Sequence, residues 1–162
     1  MKAKTHIAGA VCAGAGACVL LQTPLWQSAG ILLASGVGSL LPDIDCATSK
    51  IGRKTAPISW IITLVFGHRQ MFHSLTLWLA ITIPLIILAP VSRTILLSGQ
   101  LGILSHLFLD ALNPSGIPPF WPIRYRFRIA SISCGGITDF ALFLVFGLTS
   151  IYLLSTHLAN LL

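Results

Sequence analysis

The 162-residue chain carries only four acidic residues, all Asp, and five His. Most of them sit in short polar clusters. Leu41-Pro42-Asp43-Ile44-Asp45 places two carboxylates one residue apart, next to a helix-breaking proline. Gly67-His68-Arg69-Gln70-Met71-Phe72-His73-Ser74 holds two imidazoles five apart, which converge if a turn separates them. In Leu104-Ser105-His106-Leu107-Phe108-Leu109-Asp110 a His and an Asp at i and i+4 share one helical face. His6 stands near the N-terminus. Imidazole and carboxylate donors suit a divalent transition metal, Zn first and otherwise Mn or Fe. Taken singly, each cluster has a plainer explanation: an interfacial His, a solvated Asx-turn, or a hydrogen-bonded pair tying helices together. A site exists only if the fold brings the clusters together.

The elements that must do so are membrane helices. With 55% apolar residues, 9% charged residues and mean hydropathy +0.89, the composition is far from the roughly 25% charged residues of a soluble domain. It also excludes disorder, and the +6 charge is not gathered into the dense patch of a nucleic-acid reader. Direct nucleic-acid binding is therefore not expected. A hydrocarbon core about 30 Å thick needs about 20 helical residues. Five segments approach that length: 7–22, 26–41, 74–91, 94–112 and 137–157. The run Ile58–Gly67 is too short and reads as a re-entrant or interfacial segment. The expectation is one all-α integral membrane domain over residues 1–162.

Lys and Arg orient it. With the N-terminus cytoplasmic, five spans leave Lys2, Lys4, Lys50, Arg53, Lys54, Arg69, Arg124, Arg126 and Arg128 inside and only Arg93 outside. A cleaved signal peptide is the competing reading of 1–22, disfavoured by the lack of a small-x-small cleavage site before Pro24. The same orientation gathers His6, Asp43, Asp45, His68, His73, His106, Asp110 and Asp139 at cytoplasmic helix ends, and puts His157 outside. Small residues let helices approach closely in lipid. Gly9 or Ala10, Ala13 and Ala17 form one such stripe. Ser98 or Gly99, Gly102, His106, Asp110 and Asn113 form another, so His106 and Asp110 point into the bundle.

Residues 113–128 contain Asn113-Pro114-Ser115-Gly116 and Pro118-Pro119, which predict a turn-rich loop over the site. Phe120, Trp121 and Tyr125 suit an interface. Arg124, Arg126 and Arg128 alternate and would share one side of an extended strand, where they hold anionic head groups or simply anchor the topology. The four Cys make no disulfide framework: Cys12 and Cys18 lie within the first span, Cys46 and Cys134 on the reducing side. Without Glu there is no His-Glu-x-x-His protease motif, and neither Gly-x-Ser-x-Gly nor a phosphate-cradling Gly-Lys loop is present.

The ordered set Leu-Pro-Asp-Ile-Asp (41–45), Gly-His-Arg with Phe-His-Ser (67–74), Leu-Ser-His-Leu-Phe-Leu-Asp (104–110), Asn-Pro-Ser-Gly-Ile-Pro (113–118) and Trp121-Pro122 resembles the YdjM family of inner-membrane metal-dependent hydrolases. The resemblance runs from His6 to about Arg128. It extends, at the level of a His…Asp…His…His-x-x-x-Asp pattern, to the zinc-dependent phospholipase C and single-strand nuclease group. It implies phosphoester hydrolysis, an association with the SOS response, and His6, Asp43, His68 or His73, His106 and Asp110 as metal ligands. The later His, His and Glu ligands of the soluble phospholipases have no counterpart here, so one or two ions are expected. Gln70 and Phe72 replace an expected Gly and Thr, leaving the choice between His68 and His73 open.

Asp45 is the candidate general base or partner of a ligand imidazole, and Arg69 the candidate for an anionic phosphate oxygen. Asn113, Trp121, Arg124 and Arg126 are the candidates for substrate recognition, with membrane lipid as the expected partner. A homo-oligomer is compatible with the sequence. The alternative is a non-catalytic membrane protein or a metal- or proton-linked transporter using the same cluster. A carrier favours midplane ligands and internal repeats, and neither is found.

Overall fold

In a computed structural model, residues 1–45, 71–88, 92–123 and 125–161 are described. The expected re-entrant segment, His68, Arg69, Cys46 and Arg124 lie outside them, as does the side chain of Asp45. The described residues form five α-helices: α1 Ala3–Leu21, α2 Leu25–Gly38, α3 Leu75–Leu88, α4 Arg93–Ala111 and α5 Ile137–Leu161, with a 3-10 turn over Leu41–Asp45 after α2.

Local sequence sets the first hairpin. Gln22 ends α1 in the left-handed region, φ 48, and its side-chain amide donates to the Val19 carbonyl at 2.7 Å, satisfying an acceptor that the helix end leaves free. Pro24, with φ −66, is preset for the start of α2. So short a connection makes α1 and α2 antiparallel neighbours.

Four stretches are long and apolar enough to cross a membrane: Ala3–Leu21, Leu25–Ile44, Arg93–Ala111 and Ile137–Leu161. The third expected span, 74–91, is described as far as Leu88. Over the described residues α3 has 14 residues, about 21 Å at 1.5 Å per residue, against a core of about 30 Å. Among the described residues the architecture is therefore all-helical and multi-span, with four helices long enough to span and one shorter apolar helix. Ile137 (85% exposed) and Ile151 (68%) on α5 show the outward apolar face that suits lipid.

α4 is the organising element, contacting α1, α2 and α3. Its glycine stripe works by backbone approach. A Cβ on Gly102 would overlap the Ser35 carbonyl, and one on Gly38 the Gly99 carbonyl. The adjacent stripe of α4 packs Ile103, Leu107 and Ala111 with Trp78 of α3 and Ile117 of the following loop. Thr82 of α3 donates to Gln100 Oε1 at 2.8 Å inside the bundle. The result is convergence: the start of α1, the turn after α2, the turn before α3 and the end of α4 meet at one end.

Candidate metal centre

Asp110, on the last turn of α4, is the hub. Its Oδ1 accepts from Asn113 Nδ2 at 2.5 Å and from the Met1 amino group at 3.0 Å, and lies 3.4 Å from His6 Nε2. Its Oδ2 lies 3.4 Å from His73 Nε2 and 3.5 Å from His106 Nε2. Asp43, on the 3-10 turn, brings Oδ1 to 3.8 Å from His73 Nε2 and 3.9 Å from His106 Nε2. His6, His73, His106 and Asp110 are buried, and Asp43 is partly buried.

The separations are longer than ordinary hydrogen bonds and approach the spacing of ligands around a metal ion. Hydrogen bonds to nitrogen run about 2.7–3.2 Å, shorter than the His–Asp distances here. Ligand atoms arranged tetrahedrally around an ion at about 2.0–2.1 Å are about 3.4 Å apart. The five side chains fall into two groups that share His106, namely His6, His106 and Asp110, and Asp43, His73 and His106, with ligand atoms within 4.8 Å of one another in each.

Tautomer chemistry makes the fit tighter. His106 Nδ1 is 2.6 Å from the Ser39 carbonyl oxygen, which can only accept, so Nδ1 carries the proton. In the neutral ring Nε2 then presents a lone pair. It is buried without a hydrogen-bond partner among the described residues and faces the oxygens of Asp43 and Asp110. Lone pair against carboxylate is repulsive unless a cation stands between them. His6 stacks on His106 with ring centroids 3.8 Å apart and planes at 16°, an arrangement that suits neutral imidazoles. One buried and one partly buried carboxylate converge here, and the single Met1 ammonium balances only one of them. The donor set fits a divalent ion.

The surroundings hold the donors in place. Ser39 is the C-cap of α2, where helix carbonyls lack internal partners, so its oxygen is available to His106. His73 and Ser74 belong to the turn that opens α3, and the loop of residues 113–123 is pinned onto it. The Ser74 hydroxyl lies 3.3 Å from the Pro119 carbonyl, and the Thr76 hydroxyl donates to the Trp121 carbonyl at 2.8 Å. Trp121 is thus engaged through its backbone. Arg126 and Arg128 share one side, as their alternation predicts, and donate to the carbonyls of Ser115 and Pro114 at 3.0 and 3.2 Å. A single antiparallel bridge, Ile117 to Phe127, closes this loop.

Of the expected site residues within the described parts, His6, Asp43, His73, His106, Asp110 and Asn113 come together. Asp139 and His157 do not join them. Asp139 Oδ2 accepts from the backbone N–H groups of Gly135 at 2.7 Å and Lys2 at 3.2 Å. His157 lies 18 residues further along α5, about 27 Å, where its Nε2 is 3.0 Å from Ser28 Oγ. Sequence reasoning missed the Ser39 carbonyl and the Met1 amino group. The first had a signal, since a helix ending beside the Pro42 motif must leave carbonyls free.

Comparison with known proteins agrees with this picture. Residues 1–161 match the family described as YdjM inner membrane protein. The inner membrane protein YdjM of Escherichia coli (strain K12) is 36% identical over 115 residues, covering 68% of this chain and 57% of that protein. The protein of the same name from Shigella flexneri matches to the same extent. The match thus spans little more than half the length of these relatives. The uncharacterized protein YvsG of Bacillus subtilis (strain 168) is 36% identical over 130 residues, 80% of this chain and 78% of that one. No solved structure matches. The chain belongs to the YdjM family, as a multi-pass inner membrane protein whose converging helix ends enclose a His/Asp group suited to a metal ion.

Proposed function

We propose that this protein is a metal-dependent hydrolase of phosphoesters, with a zinc-type centre of one or two ions at the cytoplasmic surface of the membrane. The observation that carries the reading is His106, whose Nδ1 proton is committed to the Ser39 carbonyl while Nε2 faces two carboxylates. A zinc-type ion lowers the pKa of water to about 7 and polarises a phosphoryl oxygen. Asp43, His73, His106 and Asp110 hold the ion, with His6 and His68 completing the set. Asn113 positions Asp110. Asp45 serves as base or as partner of a ligand imidazole, and Arg69 neutralises an anionic phosphate oxygen. Trp121, Arg124 and Arg126 sit on the loop that recognises the substrate, and membrane lipid is its source.

The test is metal analysis of the detergent-purified full chain, wild type against Asp110→Ala and His106→Ala, with hydrolysis of bis(p-nitrophenyl) phosphate followed in parallel. Stoichiometric metal and turnover in the wild type, both lost in the variants, are expected. Metal that survives both substitutions sinks the site. Bound metal without turnover on this or other phosphoesters transfers the cluster to a carrier or a structural role.

A further inference from the structure

Two hollows on the outer side of the α1–α5 pair meet at Lys4. The first, of about 240 Å³, is lined by Lys2, Lys4, Gly135, Asp139 and Phe140 among others, at the helix ends. The second, of about 420 Å³, runs along the pair between Ile7 and Val11 of α1 and Phe143, Gly147, Ile151 and Leu154 of α5. One is charged and the other apolar. In the first, two ammonium groups oppose one carboxylate, and Asp139 already spends Oδ2 on the backbone N–H groups of Lys2 and Gly135. A positive surplus is left. Lys4 bends over Phe140 and Phe143, with Nζ 5.0 and 4.6 Å from the ring centroids, so its charge stands where the two hollows join.

The dimensions of the second hollow match an acyl chain. From Phe143 to Leu154 is 11 residues of helix, about 16 Å, and one leaflet of a hydrocarbon core about 30 Å thick is about 15 Å. Gly147 keeps the groove open: a Cβ there would meet nothing within 4 Å. A packing glycine behaves differently, as Gly102 and Gly38 do where their missing Cβ atoms permit helix contact. An unfilled glycine on a lipid-facing groove leaves room for a molecule from the membrane.

We propose that this pair of hollows is a phospholipid-binding site, with one acyl chain lying in the α1–α5 groove and the phosphodiester between Lys2 and Lys4. It is separate from the His/Asp cluster and does not rest on hydrolysis. Charge complementarity supports the occupant: a phosphodiester carries one negative charge, equal to the surplus of the lining, and offers two oxygens to the two ammonium groups. Neither a peptide helix nor a free fatty acid supplies that phosphate at the mouth of a groove one leaflet long.

The test is native mass spectrometry of the detergent-purified full chain with dioleoylphosphatidylglycerol. One retained lipid is expected on the wild type. Lys2→Gln and Lys4→Gln should each weaken retention about fivefold, the effect of removing one cation near an anionic lipid. Gly147→Leu starts from a Cβ position that meets no protein atom within 4 Å and extends into the groove, and it should weaken retention at least as much, with bound metal unchanged. Val11→Trp narrows the groove from the other wall and provides a second reading if Gly147→Leu fails to fold. Free sn-glycerol 3-phosphate should not displace the lipid. Wild-type retention in both groove variants, or displacement by glycerol phosphate at equal concentration, overturns the proposal.

Discussion

The Asn113 side-chain amide lies 2.5 Å from Asp110 Oδ1 and reaches it from the turn that ends the same helix. Asn113 N–H also donates to the Asp110 carbonyl at 3.1 Å, so the turn and the carboxylate are fixed as one unit. Outer partners that orient a ligand carboxylate typically contribute 10- to 100-fold in metal affinity. Asn113→Ala is therefore expected to weaken zinc binding by about that factor in a chelator competition. The helices should remain intact by circular dichroism. Unchanged affinity would leave Asn113 to substrate recognition, the role its sequence position first suggested.

The contact between α2 and α4 sets the Ser39–His106 geometry, and it can be broken without touching a ligand. Gly102→Ala places a methyl group into the Ser35 backbone, whereas at Gly99 the nearest atom to a new Cβ is the Ala34 carbonyl oxygen at 3.9 Å. Overpacking of this kind typically costs about 1–3 kcal/mol. Gly102→Ala should lower the thermal midpoint in detergent and weaken metal binding, because His106 is carried away from the Ser39 carbonyl. Gly99→Ala should leave both near wild type. Equal behaviour of the two variants would show that the helices do not depend on this approach.

Metal removal gives a third expectation. A ligand that binds only the folded state stabilises it by about 2.7 kcal/mol at a hundred times its dissociation constant. Without a cation, the carboxylates of Asp43 and Asp110 both face His106 Nε2, at 3.9 and 3.5 Å. Chelation should therefore lower the thermal midpoint of the wild type and leave that of Asp110→Asn nearly unchanged, since that variant lacks the hub carboxylate. A wild type indifferent to chelator would argue for a hydrogen-bonded packing cluster instead.

Much of this site was legible because the decisive features are periodic. His106 and Asp110 share a face with Gly99 and Gly102 at helical spacing, and close packing of that face buries them. Asp43 was legible through Pro42, although α2 ends at Gly38 and the proline sits within a 3-10 turn. Positive charges alone predicted which helix ends carry the polar residues, and the contacts of Asp110 with Met1, His6, His73 and Asn113 bring most of them together. What was not legible depends on backbone placement. The Ser39 carbonyl has no side-chain signature, and the arrival of His73 at the cluster depends on a turn whose geometry local composition does not specify. Asp139 had the right position and the wrong partners, because Gly135 and Lys2 N–H groups capture its carboxylate first.

The fifth His allows a control on every statement about the other four. His157 is buried at the far end of α5, its Nε2 3.0 Å from Ser28 Oγ, which in turn lies 2.8 Å from Thr23 Oγ1. This network ties the end of α5 to the α1–α2 turn. Interhelical polar pairs in membrane proteins contribute about 0.6 kcal/mol on average and up to about 1.7 kcal/mol. A double-mutant cycle on Ser28→Ala and His157→Leu should give a coupling in that range, measured by unfolding in detergent. Metal content should not change in any member of the cycle, since the pair lies about 27 Å along α5 from Asp139. Loss of metal in His157→Leu at full helicity would mean that the ends of the bundle are coupled, and the assignment of metal binding to the Asp110 end alone would fail.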